Sequence, residues 1–144
     1  MEGQIKVFLD SNVVFSIAYT GKERSRSYLI YEIQALGKLK VYLSDLVCKE
    51  ALFNIRRKKP EAEQDLNLLI RQSKVLVDVA ADLKHADIHN LPLNDRIILS
   101  TAVYHKTNVF VTGNKKDFNN FYHKKVLGTL ILKPADFLNM DFEV

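Results

Sequence analysis

The sequence has a single cysteine, Cys48, and no hydrophobic run long enough to span a membrane. One cysteine cannot form a bridge within the chain, so we expect a domain without disulfides in a reducing, cytoplasmic compartment. The apolar run near the start is too short for a signal peptide, because it ends at Asp10. We therefore expect no association with a membrane.

Internal repeats, low-complexity tracts and linkers are also lacking. The 144 residues suit one ordinary domain, and 47% of them are hydrophobic while 26% are charged, as in globular proteins. We expect a single domain over residues 1–144. The net charge of +4 permits contact with phosphate groups without requiring it.

Short apolar segments alternate with segments of helical spacing along the chain. The predicted strands are 5–9, 40–43, 74–77, 108–111 and 129–132. The predicted helices are 13–19, 25–36, 45–58, one opened by Pro60, 95–105, 115–122 and a last turn from Pro134. This alternation predicts a mostly parallel sheet covered on both faces, in which ligands bind beyond the carboxyl ends of the strands.

Two carboxylates stand out beside these elements. Asp10 follows the first strand directly and lies at the ligand-binding edge, although it could equally cap the following helix. Glu50 shares one arc of its helix with Leu46, Val47 and Phe53 when residues are set at about 100° intervals. A glutamate there should be buried or at a cleft edge, where it needs a cation, a donor or a raised pKa. The alternative is a buried pair with an arginine.

Asp95 heads a core-facing stripe on another helix, whose first turn favours a negative charge. The alternative is ordinary capping, with Asn94 as the cap residue. Asp117 ends the segment that follows the fourth strand and could bind a metal ion or its water, while Thr112 could orient a neighbouring carboxylate. The alternative there is a turn capped by Asn114.

Four carboxylates from separate segments are thus expected at one edge: Asp10, Glu50, Asp95 and Asp117. Two bare carboxylates about 5 Å apart repel by roughly 3 kcal/mol at an effective dielectric near 20, so the group calls for a cation. Ligands that are all oxygen favour Mg²⁺ or Mn²⁺ over zinc. Metal-assisted phosphodiester hydrolysis is the reaction that such sites favour.

The chain resembles the PIN-domain nucleases, especially the VapC-like toxins of type II toxin–antitoxin pairs. The matching segments are Phe8-Leu9-Asp10-Ser11-Asn12-Val13, the Glu50 helix, Leu91-Pro92-Leu93-Asn94-Asp95 with Ile97-Ile98-Leu99-Ser100-Thr101-Ala102, and Val111-Thr112-Gly113-Asn114-Lys115-Lys116-Asp117-Phe118. They follow the family's order over nearly the whole chain. The resemblance implies a three-layer α/β/α sandwich with a five-stranded parallel sheet, and Mg²⁺- or Mn²⁺-dependent endonucleolytic cleavage of single-stranded RNA.

The resemblance also implies site residues and partners. The implied metal ligands are Asp10, Glu50, Asp95 and Asp117, with Asn12 and Thr112 as supports. Many relatives carry an aspartate where this chain has Asn114. The fourth carboxylate of the site therefore depends on Asp117 alone. If Asp117 pointed outward, the second metal site would be weak. Because of this departure, the alternative function is a catalytically weak PIN-like module that binds RNA or a protein. By resemblance we expect a homodimer bound to an antitoxin protein.

Lys115 and Lys116 lie beside the expected site and could hold RNA phosphates. Phe15, Tyr19 and Tyr122 could stack on unpaired bases, although packing in the core is the favoured interpretation.

Two other chemistries fit less well. A haloacid-dehalogenase-type phosphatase would use Asp10 as nucleophile with a second aspartate two residues on, where this chain has Asn12, and no Gly-rich phosphate loop is present. His85 and His89 have the spacing of zinc ligands but lack a third ligand nearby.

Overall fold

The structure is a computed structural model that describes residues 4–83 and 88–140. A six-stranded sheet runs through it in the order β3-β2-β1-β4-β6-β5. The strands are β1 (Ile5–Leu9), β2 (Leu39–Ser44), β3 (Lys74–Leu76), β4 (Val109–Val111), β5 (Lys125–Val126) and β6 (Thr129–Leu132). All neighbours pair in parallel except β5, which pairs antiparallel with β6. The expected parallel sheet is confirmed, and β5 is a sixth, two-residue strand at its edge.

Seven α-helices connect and cover the strands in the described part of the chain. They are α1 (Ser11–Thr20), α2 (Leu29–Ala35), α3 (Asp45–Lys58), α4 (Glu63–Arg71), α5 (Leu93–Tyr104), α6 (Lys115–Phe118) and α7 (Pro134–Leu138). The predicted helices 25–36 and 115–122 are each divided into an α-helix and a 3₁₀ turn, Arg26–Tyr28 and Asn119–Phe121. None of the described helices is both long and apolar enough to cross a membrane.

The central strand β1 is covered on both faces. Val7, Phe8 and Leu9 are fully buried, and because successive side chains in a strand point to opposite faces, protein packs on each side of the sheet. Phe8 stacks on Phe110 of β4 with the ring centroids 5.6 Å apart. The three layers that the sequence predicts are therefore present at the centre of the sheet.

The strand order fixes where a site can form. From β1 the chain moves to β2 and β3 on one side, and only later crosses to β4 on the other side. Leu9 and Val111 are register partners at the ends of β1 and β4, so Asp10 and Thr112 leave the sheet side by side. This is the switch point of the sheet, where parallel α/β folds bind ligands.

Two local predictions were wrong. α5 begins at Leu93 with Pro92 in the cap position and has no side-chain cap, so Asn94 does not cap it and lies in the first turn. Phe53 is 61% exposed and does not share a buried arc with Glu50. The buried stripe of α3 is Val47, Ala51 and Ile55. Phe53 lies two positions from both Ala51 and Ile55, which at about 100° per residue places it on the opposite side of the helix.

Candidate metal centre

Asp10 is the buried centre of the site, with 2% of its surface exposed. Its Oδ1 accepts the Ser11 backbone N–H at 2.8 Å, and its Oδ2 accepts the Thr112 hydroxyl at 2.8 Å and the Asn12 amide at 3.2 Å. Asp10 also occupies the cap position of α1. The two interpretations of this residue are therefore compatible, because one carboxylate begins the helix and also stands at the sheet edge.

Glu50 approaches Asp10 from α3. Its two oxygens accept the Ser11 hydroxyl at 2.7 Å and the Asn94 amide at 3.1 Å. Ser11 thus bridges two acids, since its backbone N–H binds Asp10 and its hydroxyl binds Glu50. The alternative of an arginine partner is wrong, because the ion pairs within residues 4–83 and 88–140 are Arg56–Glu63 and His123–Asp136. Glu50 is half-buried.

Asp95 and Asp117 form the other half of the cluster. The charge of Asp117 is among the causes that raise the pKa of Asp95, so the two carboxyl groups lie near each other. The Asn114 amide nitrogen donates to Asp117 at 2.9 Å and makes a longer contact of 3.5 Å to Asp95. The Asn114 side-chain oxygen accepts the backbone N–H of Asp117, so Asn114 caps α6 as expected. Asp117 points toward the other acids and not outward.

The electrostatics join the two halves into one cluster. Burial raises the pKa of Asp10 to about 6, the bonds from Thr112 and Ser11 lower it in part, and the charge of Glu50 raises it. Burial, and then the charges of Asp10, Asp117 and Glu50, raise the pKa of Asp95 to about 7. The charges of all three other acids therefore contribute to the raised pKa of Asp95. A cation among them would relieve this repulsion.

A polar loop holds Asp10 in place. The Thr112 hydroxyl donates to Asp10 and accepts the Asn114 backbone N–H at 3.1 Å. Asn12 donates to Asp10, and its oxygen accepts the Gly113 backbone N–H at 2.8 Å. A side chain at position 113 would begin 3.3 Å from that oxygen, so glycine suits this close approach. The loop after β4 and the start of α1 are thereby tied together.

The donor chemistry of the cluster fits a hard divalent cation. The four side chains offer only carboxylate oxygens, which suit Mg²⁺ or Mn²⁺ better than zinc. Within the described residues, no three Asp, Glu, His or Cys side chains already stand at the spacing of a preformed metal site. The acids are instead linked through hydroxyl and amide groups, and some of these carboxylates would have to turn to ligate an ion.

Ser11 and Asn94 are the site residues that the sequence reasoning missed. Both hold Glu50, and Asn94 had been interpreted only as a helix cap. The available signal for Ser11 was its position, because a hydroxyl directly after a strand-ending aspartate lies at the same edge as Thr112. Asn94 gave no such signal, since its partner lies 44 residues away.

The remaining candidates divide into buried and exposed residues. Lys115 and Lys116 are exposed beside the site. Tyr122 is buried and donates its hydroxyl to the Thr112 carbonyl at 2.9 Å, so core packing is confirmed for it. Phe15 is half-buried, whereas Tyr19 is 44% exposed and does not pack in the core. The disfavoured zinc pairing of His85 with His89 involves His85, which lies outside the described residues.

Comparisons with known proteins bear on the family and the fold. The family model of the PIN domain matches residues 7–124. Among solved structures, the chain is similar to VapBC2 from Rickettsia felis bound to a DNA fragment from the promoter. The TM-score is 0.62 at 14% sequence identity, and the match covers 90% of this chain and 98% of that one. VapBC-1 from nontypeable Haemophilus influenzae gives a TM-score of 0.58 at 17% identity, covering 91% and 99%.

A toxin–antitoxin complex from Klebsiella pneumoniae gives a TM-score of 0.53 at 22% identity, covering 86% of this chain and 95% of that one. A search among curated proteins found no match. At these identities the structural likeness shows the fold alone. The family model spans most of the chain and includes all four acids, and the chain therefore belongs to the PIN domain family.

Proposed function

We propose that this protein is a Mg²⁺- or Mn²⁺-dependent endoribonuclease that hydrolyses phosphodiester bonds of single-stranded RNA. The observation that carries the proposal is Asp95, whose carboxyl group senses the charges of Asp10, Glu50 and Asp117 with no cationic side chain paired to any of them in the described residues. Membership of the PIN family supports a nuclease. The choice of metal and of RNA rests on the donor chemistry and on the resemblance.

In this proposal Asp10, Asp95 and Asp117 hold the cation. When bound, a divalent cation supplies charge stabilisation at the phosphate and makes water a better nucleophile near neutral pH. Thr112 and Asn12 keep the Asp10 carboxylate in one orientation by donating to Oδ2. Glu50, held by Ser11 and Asn94, is placed to orient the attacking water and accept its proton, or to hold a second ion.

The decisive experiment compares acids inside and outside the cluster. Asp10→Asn and Asp95→Asn should each lower Mn²⁺-dependent cleavage of a labelled single-stranded RNA by at least about 100-fold. Asp65→Asn is the matched control, because Asp65 is an exposed aspartate on α4 and its removal changes the net charge equally. Circular dichroism checks that each variant folds. Divalent-dependent activity that survives in both cluster variants would defeat the assignment.

We also propose that the protein is the toxin of a toxin–antitoxin pair, forming a homodimer in the cytoplasm and binding an antitoxin protein. The solved neighbours support the pairing, because two are VapBC structures and one is a toxin–antitoxin complex. Induced expression of the wild type should arrest growth of a bacterial host, whereas Asp10→Asn should not. Light scattering on the purified protein measures the dimer. Equal growth with both chains would contradict the toxin role.

One observation favours a second candidate, a PIN-like module that binds RNA or a protein with little catalysis. Asn114 places an amide between Asp95 and Asp117, and an amide donor offsets some of the repulsion that a cation would otherwise relieve. Calorimetric titration of Mn²⁺ into the wild type and into Asp117→Asn distinguishes the two. Carboxylate-dependent binding supports the nuclease, and no such binding favours the module.

A further inference from the structure

A groove of about 370 Å³ opens beside the acidic centre and is not used by the catalytic proposal. Gly113 of the loop after β4, Lys115 at the start of α6 and Arg26 line part of it. Lys133, Pro134 and Leu138, at and after the start of α7, line the remainder. The volume lies at the lower end of the range typical of ligand sites.

The groove carries positive charge without an acidic residue in its lining. Arg26 contacts a neutral group, the Asn139 side-chain oxygen, at 3.3 Å. The Lys133 ammonium lies over the ring of Tyr122, 5.2 Å from its centroid. Neither cation takes part in the ion pairs of the described residues. These charges therefore remain available to an anionic ligand.

The groove adjoins the chain segments that carry two of the acids. Its wall residue Gly113 donates its backbone N–H to Asn12, which in turn donates to Asp10. Lys115 is the first residue of α6, two positions before Asp117. A chain lying in the groove would therefore lie against the segments that carry Asp10 and Asp117.

We propose that this groove binds the nucleotides that flank the scissile phosphate of single-stranded RNA, with Arg26, Lys115 and Lys133 on the phosphates. Four clustered carboxylates repel a polyanion, so an adjacent cationic surface is needed to hold the strand across them. Pro134 and Leu138 supply apolar surface for a sugar or base face. The part of the proposal that concerns cleavage rests on the proposed nuclease function, whereas RNA binding by the groove does not.

The test measures RNA binding without cleavage. Fluorescence anisotropy with a labelled single-stranded oligoribonucleotide in EDTA compares the wild type with the double variant Arg26→Gln, Lys133→Met. Methionine keeps an aliphatic stem against Tyr122, which protects the fold. We expect at least about a tenfold weaker affinity and a salt slope smaller in magnitude by about 1.4, which is two lost cations at about 0.7 each.

The control variant is Lys6→Ala, Lys74→Ala. Both lysines are exposed in the first half of their strands, β1 and β3, and so lie toward the end of the sheet opposite the acids. The control removes the same charge and should bind RNA like the wild type.

Each outcome bears on one proposal or the other. Unchanged RNA affinity in the groove variant, an equal loss in the control, or no binding by the wild type overturns the groove. A groove that takes an acidic segment of a partner protein would give the first of these results. Selective loss of binding in a protein that never cleaves RNA with Mn²⁺ would support the groove and defeat the nuclease. If the wild type cleaves RNA with Mn²⁺ and the groove variant binds RNA like the wild type, the nuclease is supported and the groove is overturned.

Discussion

Two carboxylate environments in this molecule differ in what balances their charge. On the surface, Glu63 of α4 accepts two bonds from the Arg56 guanidinium, at 2.8 and 2.9 Å, and this contact lowers the pKa of Glu63. At the sheet edge, no cationic side chain within residues 4–83 and 88–140 pairs with Asp10 or Asp95, and the pKa values of these two acids are raised to about 6 and about 7. The fold neutralises the surface acid and leaves the acids of the site unbalanced.

The backbone explains how an unbalanced cluster is tolerated. Asp10 caps α1 and Asp95 lies in the first turn of α5, where the ends of the helix dipoles carry partial positive charge. Amide and hydroxyl donors supply the rest of the stabilisation. Such donors hold carboxylates in place without cancelling their charge, which is the arrangement that a cation site requires.

The largest expected difference between the two environments is the response to metal. Mn²⁺ at about 100 times its dissociation constant should stabilise the wild type at pH 8 by about 2.7 kcal/mol, because it binds only the folded state. Asp10→Asn should lose this stabilisation, and Asp65→Asn should keep it. Thermal unfolding with Mn²⁺ or EDTA measures the shift. An equal shift in Asp10→Asn would mean that the ion binds elsewhere.

Removal of one supporting donor should have a smaller effect. Thr112→Val deletes the hydroxyl that binds Asp10 while preserving the shape of the side chain, and we expect about 10- to 100-fold weaker Mn²⁺ binding. Thr112→Ser should restore most of the affinity. Thr129→Val, which deletes a buried hydroxyl bond on β6, is the control and should leave Mn²⁺ affinity unchanged. Calorimetry distinguishes a positioning role from a general loss of stability.

The cluster should also cost the metal-free protein stability as pH rises. The pKa of Asp95 is raised from 3.8 to about 7, so between these values the unfolded chain releases the proton that the folded state retains. Stability that is present below pH 4 is therefore lost by pH 7. Asp95→Asn should gain about 1 kcal/mol at pH 8, after allowance for solvent screening of this half-buried group.

That gain should be much smaller at pH 4, because this pH lies close to the unfolded-state pKa of 3.8, so the folded and unfolded states differ little in bound protons. Urea unfolding in EDTA at pH 4 and at pH 8 measures it. A gain of equal size at both values would assign the effect to packing instead of charge.

The smallest effect is expected at the surface pair. Glu63→Gln breaks the contact with Arg56, yet exposed ion pairs contribute little and are screened by salt. We expect no measurable change in the unfolding midpoint or in Mn²⁺ affinity. Loss of Mn²⁺ binding in this variant would contradict the conclusion that only the acids at the sheet edge bind the cation.

Local patterns predicted much of the fold. The five principal strands lie where short apolar segments indicated, and Ser44 caps α3 by accepting the Val47 backbone N–H at 3.3 Å. Predictions failed where a side chain had a distant partner or a face was ambiguous. The Asn94 amide binds Glu50 from another helix, and Phe53 lies outside the buried stripe of α3.

The sequence by itself determined the acid types, their places at strand ends and helix starts, and the sheet edge at which a site had to form. Only the tertiary structure decided which groups meet, since hydrogen bonds join Thr112 to Asp10 across 102 residues and Ser11 to Glu50 across 39. It also decided how far the pKa of Asp95 is raised, because burial and repulsion depend on distances through space. Spacing along a chain carries no information about those distances.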